Sequence, residues 1–455
     1  MKTSLVREIL GVRRAERLTP EHLRTLQNKR FKKLLVHLMN HSPFYRSFYH
    51  DHGISIGDVE DLHLSDLPNI DKSVMMEHYD DLVCDRALKR AELEKFIQTT
   101  SSSSKMYKSK YRIVHTSGST GTQGVFAYGP DDWDRLTAML LSRVSGLSRH
   151  HKYKSAFLGL TQDHCAGFTA AQEANTSFQF LAISINDPVE NIFRQIQAFN
   201  PDRISGYASG LYLLAQGQLA GDIDIQPRSL ISSGDPLTET IAATIFKAFG
   251  IFPRNFYAAT ESIGMAITCP KQNSLHMFSD WHCFEVAGPD SKPVQPGQTG
   301  NLLLTTLYNY TQPLIRYRMN DEVMLSEKLC DCGSPFPVIE SFDGRQEELL
   351  WFTPRNGIPE FIHPTCFIDF SAPDLIKLQV VQTSNDHFDL LVQLSAPAEQ
   401  CLPAIRSGVM DILSQKKLQG RVSFTLRPVD HISNDLVTGK YRMILPLKVG
   451  LPIVI

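Results

Sequence analysis

Short apolar runs alternate with longer amphipathic stretches through the middle of the chain. The apolar runs have the length of buried strands, and the stretches between them have the length of helices. The runs that we interpret as strands are YRIVHT (111–116), SAFLGLT (155–161), FQFLAISI (178–185), PDRISGYA (201–208), RSLISS (228–233) and RNFYAA (254–259). This alternation predicts an α/β fold in which helices cover a mainly parallel sheet.

Local end signals support the predicted helices. The segment 19–45 begins with a Thr-Pro pair, which suits a helix start, and it reaches a second proline that ends the helix. Asp187-Pro188 opens another helix, and Gly250 follows the segment 238–249 in the manner of a C-terminal cap. The polar, Ser-rich segment 99–110 predicts a mobile surface loop.

The pattern of apolar and turn-forming residues changes near residue 280. Strand-like segments with turn residues between them predict a β-rich subdomain over about 280–345. Further on, the segment 376–395 predicts a hairpin with Asn385-Asp386 in its turn, and a helix and a strand follow. We therefore predict an N-terminal domain over residues 1–345 and a small α+β C-terminal domain over 346–455.

Composition narrows the class of protein. The 455 residues include 42% apolar and 21% charged positions, as in soluble globular proteins, and the formal net charge is −2. Neither a nucleic acid nor an anionic membrane surface is indicated as a partner. No apolar run reaches the roughly 20 residues that span a bilayer, and the first residues lack a signal-peptide core, so we expect a cytoplasmic protein. In that compartment, the eight cysteines predict free thiols or metal ligands.

The segment HTSGSTGTQG (115–124) is the first candidate for chemistry. It holds three glycines and five hydroxyl side chains, and it follows a predicted strand. Backbone N–H groups and small hydroxyls in such a loop can converge on phosphate oxygens. The Gly-Lys-Ser/Thr ending of a P-loop is missing, because Thr122 and Gln123 stand there, and this disfavours a P-loop kinase. A flexible turn is the alternative interpretation.

Further polar segments follow, the first two of them after predicted strands, where ligands gather in open α/β sheets. These segments are SSGDPL (232–237), YAATES (257–262), RYRMND (316–321), DGR (343–345) and TGKYR (438–442). Each key residue also has an ordinary structural role: Asp235 as a helix cap, Glu261 as a helix start, Asp321 in a turn, and Lys440 as a solvated lysine. The occurrence of all five segments in this order favours function.

With these segments, the chain resembles the adenylate-forming superfamily, and within it the phenylacetate–coenzyme A ligase-like branch. The resemblance extends from HSPFYR near the N-terminus to TGKYR. It implies that the loop holds the β- and γ-phosphates of ATP, and that a mobile C-terminal domain delivers Lys440 to the α-phosphate and the carboxylate. It also implies that Thr260 contacts the α-phosphate and that Glu261 holds Mg²⁺.

The remaining nucleotide contacts are implied by the same resemblance. Tyr257 would stack on adenine, which Ala258 and the SGDP segment would flank, and Asp321 and Arg345 would bind the ribose. The residues that match nucleotide-binding positions are Thr116, Ser117, Gly118, Ser119, Thr120, Gly121, Ser233, Gly234, Asp235, Pro236, Tyr257, Ala258, Asp321 and Arg345.

The chain departs from the family pattern near the predicted domain junction. Met319-Asn320 stand before Asp321 where the family usually has Thr-Gly, and Glu347 occupies the hinge position that is usually an aspartate. The segment NGIPEFIHP also lacks the Gly-Val-Asn sequence that is typical of this branch. These departures bear on the second half-reaction more than on adenylation.

Four residues form a separate candidate metal site. Cys330 and Cys332 lie in a CxC turn, and Cys269 and His276 lie in CPKQNSLH upstream. Thiolates with one imidazole suit tetrahedral zinc, and four protein ligands make the site structural. Ordinary thiols are the alternative, and His282 and Cys283 are alternative ligands.

The acid-binding pocket is placed only by family position. His164 in LTQDHCAGF would contact the substrate carboxylate or the leaving group, although a packing histidine is equally compatible with the sequence. Tyr207, Ala208, Ala258 and Ala259 would line the same pocket. The acid itself is left open.

The resemblance implies an ATP-dependent ligase that converts a carboxylic acid, of aryl or arylacetic type, to an acyl adenylate and passes it to coenzyme A. One alternative keeps the first step and transfers the acyl group to an amine or a carrier-protein thiol. A second alternative is a nucleotide-binding relative without turnover. A homodimer is compatible with each of these.

Overall fold

The computed structural model describes residues 3–100, 105–116, 123–145, 153–162, 164–174, 179–271, 274–288, 291–295, 297–343, 350–353, 360–368, 372–433 and 443–447. Its α-helices are α1 (Thr3–Ala15), α2 (Pro20–His41), α3 (Pro43–Asp51), α4 (Lys72–Glu77), α5 (Tyr79–Leu82), α6 (Arg90–Thr99), α7 (Pro130–Met139), α8 (Ala166–Ala174), α9 (Val189–Phe199), α10 (Ala208–Ala220), α11 (Glu239–Phe249), α12 (Thr365–Ile368) and α13 (Ala398–Gln415).

The strands in sequence order are β1 (Arg112–His115), β2 (Val125–Tyr128), β3 (Lys154–Gly159), β4 (Gln179–Ser184), β5 (Arg203–Gly206), β6 (Ser229–Ser232), β7 (Arg254–Ala259), β8 (Ser262–Thr268), β9 (Leu275–Met277), β10 (His282–Ala287), β11 (Thr299–Thr306), β12 (Tyr317–Leu325), β13 (Val338–Asp343), β14 (Leu350–Phe352), β15 (Glu360–Ile362), β16 (Leu375–Ser384), β17 (His387–Leu394), β18 (Ser423–Pro428) and β19 (Ile444–Leu445).

The predicted α/β class is confirmed by a parallel core of five strands. β4, β3, β5, β6 and β7 pair in that order and in parallel. The crossover helices α9, α10 and α11 each end at a residue in the left-handed region, namely Asn200, Gly221 and Gly250. Such caps let the chain turn back sharply into the next strand. Ile192 and Ile196 of α9 are completely buried against this sheet, so packing and capping act together.

The β-rich region continues the same sheet. The full order is β10-β11-β12-β13-β9-β8-β7-β6-β5-β3-β4, in which β7 pairs with β6 in parallel and with β8 antiparallel. One predicted strand has a different location: YRIVHT forms β1, but it pairs antiparallel with β2 in a separate two-stranded sheet. Its apolar residues would be buried equally well in the main sheet or in the two-stranded sheet.

The antiparallel half of the sheet is strongly curved. β8, β9 and β13 lie between β7 and β12 in the hydrogen-bonding order, which is a separation of about 19 Å in a flat sheet. Even so, the side chains of Tyr257 on β7 and Asp321 on β12 are hydrogen-bonded. Two side chains cannot bridge that separation, so the sheet must bend to bring these strands face to face.

The C-terminal region has its own core. The predicted hairpin is confirmed as β16 and β17, and α13 and β18 follow it. The hairpin of β14 and β15 has residues in two cores: Trp351 and Phe361 pack with the parallel sheet, whereas Phe352 and Ile362 pack with the C-terminal core. The predicted boundary at 345 lies outside the described residues and stays a prediction.

A buried ion pair also joins the two regions. Lys416, after α13, lies 3.1 Å from Glu360 and donates a hydrogen bond of 2.8 Å to the carbonyl of Asp187. The lysine is 1% exposed, so its positive charge is compensated almost entirely by protein groups. Burial raises the pKa of Glu360.

Candidate active site

The Gly/Ser/Thr loop joins β1 to β2, and its two ends are fastened to each other. Thr116 N–H donates to the Gly124 carbonyl at 2.9 Å, and Gly124 N–H donates to Thr116 Oγ1 at 2.8 Å. The predicted phosphate ligands between these ends, namely Ser117, Gly118, Ser119, Thr120 and Gly121, lie outside the described residues. The structure therefore fixes where the loop starts and ends.

Two predicted nucleotide residues meet directly across the curved sheet. The Tyr257 hydroxyl donates to Asp321 Oδ2 at 2.7 Å. Burial, and then the negative charge of Asp321, raise the pKa of Tyr257, so the phenol keeps its proton and remains a donor. A carboxylate can accept about four hydrogen bonds, so this contact leaves Asp321 with acceptor capacity for ribose hydroxyls.

Thr260 and Glu261 form the two-residue turn between β7 and β8, because Ala259 pairs with Ser262. The Glu261 carboxylate shares a hydrogen bond with the Tyr317 hydroxyl, and burial, together with the charge of Glu261, raises the pKa of Tyr317. The carbonyl of Thr260 accepts from the Tyr128 hydroxyl at 3.4 Å. Glu261 thus lies at the strand end as predicted, but in a tight hairpin turn, which excludes the alternative of a helix start.

The segment 233–236 follows β6 and lies beside Tyr207. Gly234 has φ +86°, and a Cβ at this position would lie 2.5 Å from the Tyr207 ring. Any larger residue would therefore clash with that ring as well as strain the backbone. Asp235 accepts hydrogen bonds from the N–H groups of Ala208 and Ser209 at the start of α10. The helix-cap role that we considered for Asp235 is present, and a nucleotide contact by Asp235 stays a prediction.

His164 has a left-handed backbone conformation and is 1% exposed. Its Nδ1 is 3.1 Å from the carbonyl of Ile113, and its ring lies 5.2 Å from that of Phe96. These contacts are typical of a packing histidine. Contact of His164 with a substrate carboxylate stays a prediction that its surroundings do not favour.

The predicted pocket residues Tyr207, Ala258 and Ala259 are partly exposed. The Tyr207 ring lies 5.1 Å from the ring of His363, which comes from the segment after β15. His363 Nε2 is also 3.8 Å from Asp235 Oδ2. His363 was not predicted from the sequence, and no motif around it indicates that it would lie beside Tyr207 and Asp235.

Arg345, Glu347 and Lys440 lie outside the described residues. The ribose role of Arg345, the hinge role of Glu347 and the catalytic role of Lys440 therefore stay predictions.

The four predicted zinc ligands form one cluster. One donor atom from each of Cys269, His276, Cys330 and Cys332 lies within 4.8 Å of the others. Cys269 Sγ is 3.7 Å from Cys330 Sγ, and Cys332 Sγ is 3.3 Å from His276 Nε2. Bonds of 2.0–2.3 Å to a tetrahedral zinc produce separations of about this size. The donor set therefore fits the metal.

Groups around the cluster orient its ligands. His276 Nδ1 is 3.4 Å from the carbonyl of Phe336, and Lys271 N–H and Ser334 N–H donate to the sulfurs of Cys269 and Cys332. A partner on the second ring nitrogen is typical of metal-binding histidines. The alternative ligand His282 instead contacts Ser262 Oγ at 2.8 Å and the carbonyl of Phe278 at 2.9 Å.

The structure also brings to the loop one lysine that the sequence analysis missed. Lys72, at the start of α4, donates from Nζ to Thr116 Oγ1 at 3.1 Å. The loop motif gives no signal of this contact, because the two residues are 44 positions apart.

Among the described residues, no helix is both long and apolar enough for a membrane crossing.

Comparisons with known proteins agree with the resemblance. No family model matches the chain. A phenylacetate-coenzyme A ligase of Thermus thermophilus is 25% identical over 406 residues, which cover 84% of each chain. Protein CapK of Staphylococcus aureus is 24% identical and covers 82% of this chain and 79% of its own length. A phenylacetate-coenzyme A ligase of Escherichia coli is also 24% identical, with 76% of each chain covered.

A solved structure of 2-hydroxyisobutyryl-CoA ligase with 2-HIB-AMP and CoA has a TM-score of 0.65 and 18% identity, and it covers 95% of this chain and 91% of its own. This likeness shows the fold. Together with the sequence relatives, it confirms the resemblance to the phenylacetate–coenzyme A ligase-like branch of adenylate-forming enzymes.

Proposed function

We propose that this relative of the phenylacetate–coenzyme A ligases is an AMP-forming acid–thiol ligase. It activates a carboxylic acid, of aryl or arylacetic type, as an acyl adenylate and then transfers the acyl group to coenzyme A. The observation that carries the proposal is the meeting of Tyr257 and Asp321 at 2.7 Å, with Glu261 in the turn that follows Tyr257. The curved sheet thus gathers the residues predicted to bind adenine, ribose and metal.

In the first step, a carboxylate oxygen attacks the α-phosphorus of ATP and the bond to pyrophosphate breaks. Such chemistry depends on positioning and on charge stabilisation. Tyr257 provides a ring for adenine, and Asp321 provides acceptors for the ribose hydroxyls. Thr260, in the turn after β7, would contact the α-phosphate, as the family resemblance implies. Mg²⁺ held by Glu261 would neutralise negative charge on the phosphates.

In the second step, a thiolate attacks the acyl carbonyl and AMP leaves. Coenzyme A is the acceptor we favour, because phenylacetate-coenzyme A ligases recur among the relatives. Transfer to an amine or a carrier-protein thiol would use the same first step. Glu347 stands where the family usually has the hinge aspartate, so the identity of the acceptor requires a direct test.

Acid-dependent exchange of labelled pyrophosphate into ATP tests the first step without knowledge of the acceptor. We expect at least one acid in a panel of aryl, arylacetic and aliphatic acids to stimulate exchange. If nucleotide binds but no acid stimulates exchange, the chain is the non-catalytic relative. If exchange occurs, a requirement for coenzyme A in product release separates transfer to coenzyme A from transfer to an amine or a carrier-protein thiol.

We also propose that Cys269, His276, Cys330 and Cys332 hold a structural Zn²⁺. All four donors of a tetrahedral site come from protein, so no position is open for a substrate. The ligands connect the end of β8 and β9 with the segment between β12 and β13. The metal would therefore brace the antiparallel part of the sheet, to which β12 with Asp321 belongs.

The double variant Cys330→Ser, Cys332→Ser is expected to lose about one zinc per chain and thermal stability together, because serine hydroxyls are poor zinc ligands. Structural zinc contributes on the order of 10–16 kcal/mol in small peptides, and the effect in this larger chain is expected to be more local. Metal analysis and thermal unfolding measure the two losses. Cys84→Ser, Cys366→Ser is the matched control, since both cysteines lie outside the cluster. Full zinc content in the first variant contradicts the assignment.

A further inference from the structure

The loop at 115–124 contains no lysine or arginine, although a phosphate-binding loop benefits from a nearby cation. The structure supplies one from another segment. Lys72 Nζ lies 3.1 Å from Thr116 Oγ1, directly at the point where the loop leaves β1. At the other end of the loop, a Cβ on Gly124 would lie 3.1 Å from Lys72 Cε. The lysine side chain therefore lies across both ends of the loop.

Lys72 is held in this place by its neighbours. Asp71 caps α4 by accepting a hydrogen bond of 3.0 Å from Val74 N–H. One residue earlier, the carbonyl of Ile70 accepts from Arg318 N–H at 2.8 Å, which attaches the segment to β12. Met75 and Met76 are buried and anchor the helix itself. The backbone of the segment that carries Lys72 is thus attached to β12, the strand that carries Asp321.

The same segment lies close to the predicted magnesium ligand. Ile70, two residues before Lys72, forms a parallel bridge with Tyr317. Tyr317 also hydrogen-bonds with Glu261. The segment that carries Lys72 and the turn that carries Glu261 are therefore connected through Tyr317.

We infer that Lys72 takes the place of the missing loop lysine and binds the pyrophosphate portion of ATP. This inference rests on the proposed function. Lys72 Nζ would donate to a β- or γ-phosphate oxygen while Thr116 holds the side chain across the loop. When the bond between the α-phosphorus and the bridging oxygen breaks, its electron pair goes to pyrophosphate. Lys72 remains protonated throughout and stabilises that charge.

Binding measurements with ATP, AMP and inorganic pyrophosphate test this inference without any acid. For Lys72→Met, we expect a loss of about 10- to 100-fold in affinity for ATP and pyrophosphate, which is the usual effect of removing a hydrogen bond to a charged group. Affinity for AMP should stay within about twofold, because AMP lacks the β- and γ-phosphates. Lys72→Arg should recover part of the loss, since it restores the charge.

Lys89→Met is the matched control, because Lys89 is a half-buried lysine that pairs with Asp80. Unchanged AMP affinity and thermal unfolding show that Lys72→Met folds. If the variant loses ATP and AMP affinity equally, or loses neither, the inference is wrong. The exchange assay is independent of this result: wild-type protein that binds ATP through Lys72 but never exchanges pyrophosphate would contradict the proposed function and leave the inference standing.

Discussion

Replacing Lys440 by alanine is expected to slow adenylate formation by about 100- to 1000-fold, which is typical for the loss of one preorganised donor. Adenylation develops charge between the incoming carboxylate, the α-phosphate and the departing pyrophosphate. A lysine that is brought to this point acts on charge that the ground state does not fully show, so its loss lowers the rate. Pyrophosphate exchange measures this first half-reaction directly.

ATP affinity should change little in Lys440→Ala, because Asp321, Tyr257 and Glu261 all belong to the N-terminal part of the chain. The second half-reaction should also survive. If Lys440 leaves the site when the C-terminal domain rotates, the variant should convert a supplied acyl adenylate to product at nearly the wild-type rate. Equal losses in both half-reactions would show that the domain does not alternate or that the variant is unfolded. No loss in either would make Lys440 a solvated lysine.

The second large effect is expected for Glu261→Gln. This change keeps the shape of the side chain, and its amide oxygen can still accept a hydrogen bond from Tyr317. It removes the negative charge that would hold Mg²⁺. Since the loss of an outer-shell partner of a metal already costs 10- to 100-fold, we expect exchange to fall by at least about 100-fold and the Mg²⁺ requirement to rise.

Magnesium titrations of the exchange rate distinguish metal binding from a general defect. Raising the Mg²⁺ concentration should recover part of the activity of Glu261→Gln, whereas AMP affinity should be unchanged. Glu399→Gln, an exposed carboxylate at the start of α13, is the control. A Glu261→Gln protein with wild-type exchange and wild-type Mg²⁺ dependence would contradict the metal role.

Local signals were sufficient for most of the fold. The apolar runs, the C-terminal cap at Gly250 and the turn at Asn385-Asp386 predicted elements that the structure contains. Strand pairing was harder to predict. The run 111–116 has a pattern that fits any buried strand, and only its partner β2 determines that it leaves the main sheet.

The site shows the same division between local and long-range information. Tyr257 and Asp321 were predicted because family motifs mark them, although no sequence pattern shows that a curved sheet joins residues 64 positions apart. Lys72 was missed because a lysine after a capping aspartate is ordinary at a helix start. Asp235 matches a motif residue, yet it caps α10, which a motif alone cannot reveal.

The Cys/His cluster lies where two groups of strands are joined in the sheet. β7, β8 and β9 form one meander of sequence neighbours, and β10 to β13 form another. Strand pairing joins the two meanders where His276 and Leu275 pair with Val338 and Ile339, respectively.

Each meander can form from contacts that are short in sequence, whereas joining them requires closure of a longer loop, as between Cys269 and Cys330, which are 61 positions apart. Loop closure costs entropy that grows with the logarithm of this length. Two of the four ligands come from each meander, so a bound metal would secure the join between them. Folding of the part of the sheet that carries Tyr257 and Asp321 would then be completed at this junction, after both meanders have formed.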